Sequence, residues 1–188
     1  MIERCRWAVN GPQNLQEYHD HEWGIPEHSE QKLFELLSLE TYQAGLSWQT
    51  VLDKRAAFKA AFFNYEIGKV AEMTEIDLEK LLQNKQIIRH RLKLAATIQN
   101  AQAVVKLWKQ NVTLNQLLWE SVNFKTIDHQ VQTDQVIDST TSLAIDLSKK
   151  LKQAGFKFMG PVTTYSLMQA AGLVNDHEVK CQYHGEGV

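Results

Sequence analysis

A carboxylate and large rings crowd one short stretch of this chain. Residues 39–50 read "LETYQAGLSWQT", so Glu40, Tyr42, Gly45 and Trp48 follow directly on the amphipathic helix start "SEQKLFELLSL". An acid and two rings around a glycine at a helix-to-helix turn can form a site, and large rings also simply fill cores. A second set of reactive types lies at the two ends of the chain. Cys5 and His19 come early, and His177 and Cys181 come late, in "HEVKC". The H-x3-C spacing lets both side chains project from one helical turn towards one ion. Two Cys and two His make a closed tetrahedral zinc set, the structural type with no open position. His21, His28 and His184 are spare candidates. Buried thiols with surface histidines explain the same spacing as well as zinc does.

Two basic stretches carry the next chemistry. In "KQAGFKFMGPVTTYSLMQAAG", residues 152–172, a helix ends at Gly155, a short FKFM turn follows, and Gly160-Pro161 opens another helix. This is a helix–hairpin–helix layout. Glycines at both ends let backbone N–H groups approach a phosphate at a helix N-terminus, which favours anions. Residues 147–175 hold Lys149, Lys150, Lys152 and Lys157 and no acid, and "NKQIIRHRLK" adds Lys85, Arg89, Arg91 and Lys93. The plain reading is a helical hairpin with solvated lysines. Two acid-free basic patches in a slightly acidic chain move the balance towards a nucleic-acid backbone.

The elements that must position these groups are helical nearly throughout. Ser29 can cap a helix over 30–42 and Ser47 one over 48–63. Thr74 with Asp77 forms a capping box for 75–83. Apolar periodicity marks 89–110, 114–122 and 142–154, and Pro161 opens a last helix over 161–172. The polar stretch 124–139 reads as a loop. No alternating strand pattern, repeat or low-complexity segment is visible. The chain therefore reads as all-α, a single domain over 1–188 built of two closely packed helical lobes.

Composition limits the function. The chain has 188 residues, 44% of them hydrophobic and 22% charged, with a net charge of −2, which is ordinary for a soluble globular protein. No apolar run approaches the ~18 residues of a membrane span. "MIERCRWAVN" has no apolar core of a secretory signal. The expectation is a cytoplasmic monomer without a membrane partner, whose two cysteines are thiols or metal ligands rather than a disulfide.

Seven blocks in order carry a resemblance along almost the whole chain: "RCRWA", "YHDHEWGIP", "LFELLSLE", "QAGLSWQTVL", "IIRHRLK", "GFKFMGP" and "GLVNDH". Together they resemble the bacterial DNA-3-methyladenine glycosylases of type I, the constitutive enzymes. The resemblance implies a helix–hairpin–helix DNA repair fold, a structural zinc joining the terminal segments 1–28 and 173–188, and removal of 3-methyladenine from alkylated double-stranded DNA. It places the zinc ligands on Cys5, His19, His177 and Cys181, the four that spacing proposes. It places the base pocket on Trp7, Tyr18, Glu40 and Trp48, and the hairpin that grips DNA on 155–160, with Gly155, Lys157 and Gly160.

Physical chemistry gives that pocket a use. A base within a duplex must be flipped out before its glycosidic bond can be reached. Stacking on Trp7, Tyr18 and Trp48 holds it, at about 1–3 kcal/mol per base in single-strand binders. N3-methylation makes adenine cationic, which adds ~0.5–2 kcal/mol over aromatic faces. Glu40 favours the cation and accepts from the exocyclic amine. Glu40 is therefore the catalytic candidate, binding and orienting the base and stabilising oxocarbenium character at the sugar. Leu46, on a glycine-flanked turn, is placed to fill the gap a flipped base leaves, or to cover the core at a helix joint. Trp23, Trp108 and Trp119 are assigned to packing, with Trp23 bracing the zinc loop. Asp176 adjoins His177 and is not expected to face the base, whereas Tyr165 is a candidate pocket residue. Two other readings remain. One is a non-catalytic zinc-stapled DNA-binding module, and the other a zinc hydrolase with His21 or His184 near an open metal.

Overall fold

The computed structural model describes residues 3–133 and 135–187; Asp134, within the loop expected at 124–139, and the extreme termini lie outside. Ten α-helices run in chain order among the described residues. They are α1 (Arg6–Val9), α2 (Gln13–His21), α3 (Glu30–Gln43), α4 (Trp48–Ala61), α5 (Ile67–Ala71), α6 (Glu75–Gln83), α7 (Arg91–Trp108), α8 (Leu114–Trp119), α9 (Ser142–Gln153) and α10 (Pro161–Ala170). Local chemistry sets most boundaries. Ser29, Ser47 and Thr74 accept from the third residue of the helices they precede, and Asp77 completes the capping box. Gly155 closes α9, with Phe156 N–H reaching back to the Leu151 carbonyl at 3.0 Å.

The expected strand-free chain needs one correction. Ile127–Asp128 (β1), inside the stretch expected to be an irregular loop, pairs in parallel with Val174–Asn175 (β2). Two residues are too few to show an alternating pattern. The pairing is made by distant segments, with the Thr126 hydroxyl donating to the Gly172 carbonyl at 2.7 Å beside it. Likewise "HEVKC" is a turn rather than helix, with Cys181 N–H bonded to the Glu178 carbonyl at 2.7 Å.

Helix α3 organises the interior. It packs against α4, α7, α8 and α10, and every residue from Leu33 to Tyr42 is buried. Four polar side chains are therefore taken inside with it besides Tyr42. Ser38 and Thr41 donate back to the Phe34 and Leu37 carbonyls. Glu35 pairs with Arg55 of α4 at 2.7 Å. Glu40 alone keeps one oxygen buried without a partner. Tyr42 is core, its ring stacked 3.9 Å from Phe58 and its hydroxyl on Thr97. A smaller apolar cluster of Cys5, Tyr18, Trp23, Leu52 and Cys181 joins the chain ends, and Trp48 packs on both clusters.

The segment after Trp23 lies across the end of α10. Gly24 N–H donates to the Gln169 carbonyl and Glu27 N–H to the Ala171 carbonyl. The approach is so close that a Cβ on Gly172, whose φ is +70°, would stand 2.4 Å from Ile25 and Pro26 backbone atoms. Only glycine meets both demands there.

Two expectations about charge and packing change. In the basic stretch at 84–93, Lys93 is buried, and Arg91 is paired with Glu75 and Glu79 of α6. Among the described residues, Lys85 and Arg89 are the exposed cations of that patch without a carboxylate partner. Trp108 is 39% exposed, so it is not a core residue, and its indole N–H donates to Glu30. Lys93 has a structural task. Its ammonium donates to the Tyr42 carbonyl at 2.9 Å and to the Ala44 carbonyl, capping the C-terminal end of α3. Lys93→Met should lower unfolding free energy in urea by about 1–3 kcal/mol, the cost of losing charged hydrogen bonds to buried carbonyls. Arg91→Met, on the surface, should leave the midpoint nearly unchanged.

Candidate active site

Helix α2 brings Tyr18 and His19 to neighbouring positions, and the turn after it adds Trp23. Arg55 fastens this unit to the centre of the fold, with bidentate bonds of 2.8 Å to Glu22 and one of 2.7 Å to Glu35. The result is a pocket of about 260 Å³ lined by Trp7, Tyr18, Trp23, Glu40, Gln43, Trp48, Ile137, Ser166 and Gln169. All four residues expected at the base pocket are therefore brought together. Trp7 stands half-exposed at the opening, edge-on to Trp23 at 5.0 Å. Tyr18 and Trp48 lie tilted at 5.2 Å.

Among the described residues, Glu40 is the only acid in that lining. The residue is 5% exposed, one carboxyl oxygen is buried with no partner, and burial pushes its pKa up to about 8. The indole N–H of Trp48 is also buried without a partner. A pocket with aromatic walls, an unfulfilled acceptor and little competing water suits a flat, positively charged ligand.

A second hollow of about 230 Å³ shares Glu40, Gln43 and Ser166 with the first and runs on past Ala44, Gly45 and Leu46 to Val162 and Thr163. Gly45, at φ +78°, makes the turn that leaves Leu46 41% exposed at this edge. Leu46 thus does not cover the core. Across the hollow, α9 and α10 are joined by the turn at 154–160. Asn100 of α7 grips that turn through both backbone groups of Lys157, at 2.7 and 3.2 Å. Gly160 precedes α10 with no side chain capping it and open space beside it. Lys152 and Lys157 are exposed near this turn, whereas Lys149 is paired with Asp146.

The four expected metal ligands also meet. The ligand atoms of Cys5, His19, His177 and Cys181 all lie within 4.8 Å of one another, and all four residues are buried. Sulfur-to-nitrogen distances are 3.4 Å for Cys5–His177 and 3.6 Å for both Cys181–His19 and Cys181–His177. Tetrahedral bonds of about 2.0 Å to nitrogen and 2.3 Å to sulfur put ligand atoms roughly 3.3–3.8 Å apart, so these three separations suit a shared metal ion and the set could hold one. Supporting groups fit too. His19 Nδ1 is held by Asp20 at 2.8 Å, and His177 Nε2 by the Trp23 carbonyl at 2.9 Å, leaving Nε2 and Nδ1 respectively for an ion. Burial raises the Asp20 pKa, but hydrogen bonds from Arg4 and His19 outweigh it and hold the carboxyl at about 2. Glu178 N–H points at Cys5 sulfur, 3.3 Å away. His21, His28 and His184 stand outside the group.

Sequence reasoning missed Gln43, Ile137 and Gln169 in the lining, and gave Trp23 only a bracing part. The brace is present, since Trp23 meets His177 edge-on at 4.7 Å, but its ring also reaches the pocket. Tyr165, a pocket candidate, instead turns its hydroxyl to Asp176 at 2.6 Å. Asp176 is buried and is no part of the aromatic lining.

Known proteins resemble this chain along almost its whole length. The family model for methyladenine glycosylase matches residues 7–184. DNA-3-methyladenine glycosylase 1 of Escherichia coli (strain K12) is 46% identical over 180 residues, 96% of each chain. DNA-3-methyladenine glycosylase of Haemophilus influenzae is 43% identical over 182 residues, 96% of this chain and 97% of the relative. The solved structure of 3-methyladenine DNA glycosylase I from Staphylococcus aureus, which gives the structural basis of its 3-methyladenine recognition, superposes with a TM-score of 0.90 at 40% identity, covering 96% of each chain. The chain belongs to the methyladenine glycosylase family.

Proposed function

We propose that this protein is a base-excision repair enzyme that hydrolyses the N-glycosidic bond of 3-methyladenine in alkylated duplex DNA. The observation that carries the reading is Glu40, a buried carboxyl with a spare oxygen on the wall of an aromatic pocket, in a chain of this family. The pocket admits a flipped base, with Trp7, Tyr18 and Trp48 offering faces. Alkylation at N3 leaves the base cationic while it is bonded to the sugar. The empty site holds Glu40 at about 8, and a cation beside it draws the carboxyl back towards its ionised form.

Water adds at C1′, the C1′–N9 bond breaks, and its electron pair passes to the base. The base leaves as neutral 3-methyladenine, and one proton from the water goes to solvent. Because the leaving group is neutral on departure, the step needs little general-acid help. Departure also cancels the charge that Glu40 attracts. Normal adenine gains neither the charge pairing nor the cation–π term.

The remaining assignments belong to the same reading. Leu46 enters the gap left by the flipped nucleotide. The turn at 155–160 and the uncapped start of α10 form the hairpin of a helix–hairpin–helix element and take DNA phosphates, helped by Lys157. Cys5, His19, His177 and Cys181 hold one structural Zn²⁺ per chain, which closes the chain ends on each other and balances the thiolates. The enzyme works as a cytoplasmic monomer.

Incubating the protein with methylated DNA and chromatographing released bases should show 3-methyladenine, and no release would end this reading. Glu40→Gln should slow release by about 10–100-fold, the effect of losing a charged hydrogen bond of roughly 1.5–3 kcal/mol. The same variant separates stability from activity. Glu40 ionises near 4.5 in the unfolded chain and near 8 in the fold. Its contribution to stability is full below pH 4.5 and is lost as pH rises through 8. The unmodified protein should therefore lose stability between pH 5 and 8, by up to about 1.4 kcal/mol per pH unit, relative to Glu40→Gln. Metal analysis should find one zinc per chain, and stripping it or replacing Cys181 with Ser should lower Tm and weaken binding of free 3-methyladenine. Leu46→Gly should cut kcat/KM on methylated duplex by about tenfold but not on methylated single strands, where no gap needs filling; equal loss on both would remove the wedge.

A further inference from the structure

One buried acid outside the metal set is hydrogen-bonded to a residue of the pocket lining. Asp176 follows β2 and His129 follows β1, so the parallel pairing of the two strands places them side by side. The Asp176 carboxylate takes three donors. His129 Nδ1 lies 2.5 Å from one oxygen, and the Tyr165 hydroxyl and the Gln169 side-chain nitrogen lie 2.6 and 2.7 Å from the other. Tyr165 and Gln169 are one turn apart on α10 and share a face.

A carboxylate accepts hydrogen bonds and offers none. Asp176 therefore dictates which way the Gln169 amide points: the NH₂ group faces the acid, and the carbonyl oxygen faces away. That oxygen has no hydrogen-bond partner among the described residues, and it is not among the buried unpartnered atoms, so it reaches open space. The open space beside Gln169 is the aromatic pocket. Two oxygens thus border the ligand from different elements, Glu40 on α3 and Gln169 on α10.

We infer that Gln169 is a base-selecting residue whose carbonyl oxygen, turned into the pocket by Asp176, accepts from the bound cationic purine. Asp176 acts through Gln169 as a positioning residue. A wall of acceptors attracts a positively charged ring and its amine hydrogens. An amine at the purine 6-position meets either oxygen favourably, and a carbonyl there meets both unfavourably. This inference rests on the base-excision reading and gives it an additional source of specificity.

The test uses the full chain on DNA that carries both 3-methyladenine and 3-methylguanine. Gln169→Met keeps length and volume and removes the oxygen. It should lower kcat/KM for 3-methyladenine by about tenfold and raise the 3-methylguanine to 3-methyladenine release ratio. The temperature of unfolding should stay close to that of the unmodified protein. Asp176→Asn offers the amide a donor in place of an acceptor, letting Gln169 turn its NH₂ into the pocket. It should shift the ratio in the same direction, and combining it with Gln169→Met should shift the ratio no further. Should Asp176→Asn fail to fold, Gln169→Met decides alone. An unchanged ratio, with 3-methyladenine release within twofold, overturns the inference while base excision stands. An unmodified chain that releases no base overturns both.

Discussion

The meeting of the chain's two ends is the constraint on which the site depends. Cys5 and His177 are separated by almost the whole sequence, yet their ligand atoms are 3.4 Å apart. Trp7 is two residues from Cys5 and packs edge-on against His19 at 5.1 Å. The Trp23 carbonyl receives His177, and the segment after it crosses the end of α10. Half of the aromatic pocket is therefore attached to the terminal segments, which this meeting holds together with the Arg55 bonds to Glu22 and Glu35. Joining ends this far apart has a large entropic cost, although that cost grows only slowly with length. The Cys and His set offsets it locally, where Gln182 N–H to the Glu3 carbonyl and Arg4 on Asp20 add short, well-formed bonds. Metal bound to these four residues would stabilise the fold by its binding free energy, because the unfolded chain offers no preformed site.

Against that stabilising closure stands a deliberate weakness. Helix α3 satisfies Ser38, Thr41 and Glu35 and leaves Glu40 with an oxygen unmet. A buried acceptor without a partner destabilises a fold by roughly 1–3 kcal/mol. Hydrogen-bonding Glu40 to a neighbouring donor would remove that cost and also remove its attraction for a cation. The fold tolerates it because the helix that carries it is buried on every side and capped by Lys93 at the end nearest the pocket. Rigid placement of an unfulfilled group is what lets a ligand, rather than a rearrangement of the protein, supply its partner.

Legibility in the sequence followed the range of the forces. Capping by Ser29, Ser47 and Thr74, the stop at Gly155 and the start at Pro161 are local events, and the structure places all of them where the residues put them. Cys5, His19, His177 and Cys181 were legible because few residue types bind metal and this chain has only two cysteines. Short α1 and α5 and the two-residue strands carry too few residues for a period to emerge. The basic stretch at 84–93 was misread because nothing local reveals that Arg91 meets Glu75 and Glu79, or that Lys93 turns inward to α3. Ile137 and Gln169 reach the pocket from a polar loop and from a helix without a charged residue, where neither type nor spacing marks them.

Asp176 ties these strands together. Both oxygens of Asp176 are already engaged, by His129, Tyr165 and Gln169. A carboxylate whose two oxygens are taken by three neighbouring side chains has no oxygen turned to the pocket to contact water or the sugar. Neutral lesions leave as poor leaving groups and need such an acid free. A cationic base carries its own driving force, so the chemistry demands recognition of charge rather than manipulation of protons. The carboxyl on the pocket wall is accordingly Glu40, raised by burial and left unpaired, while Asp176 holds Gln169 from outside the lining. Two acids of similar type thus differ in role because one is starved of donors and the other is fully supplied.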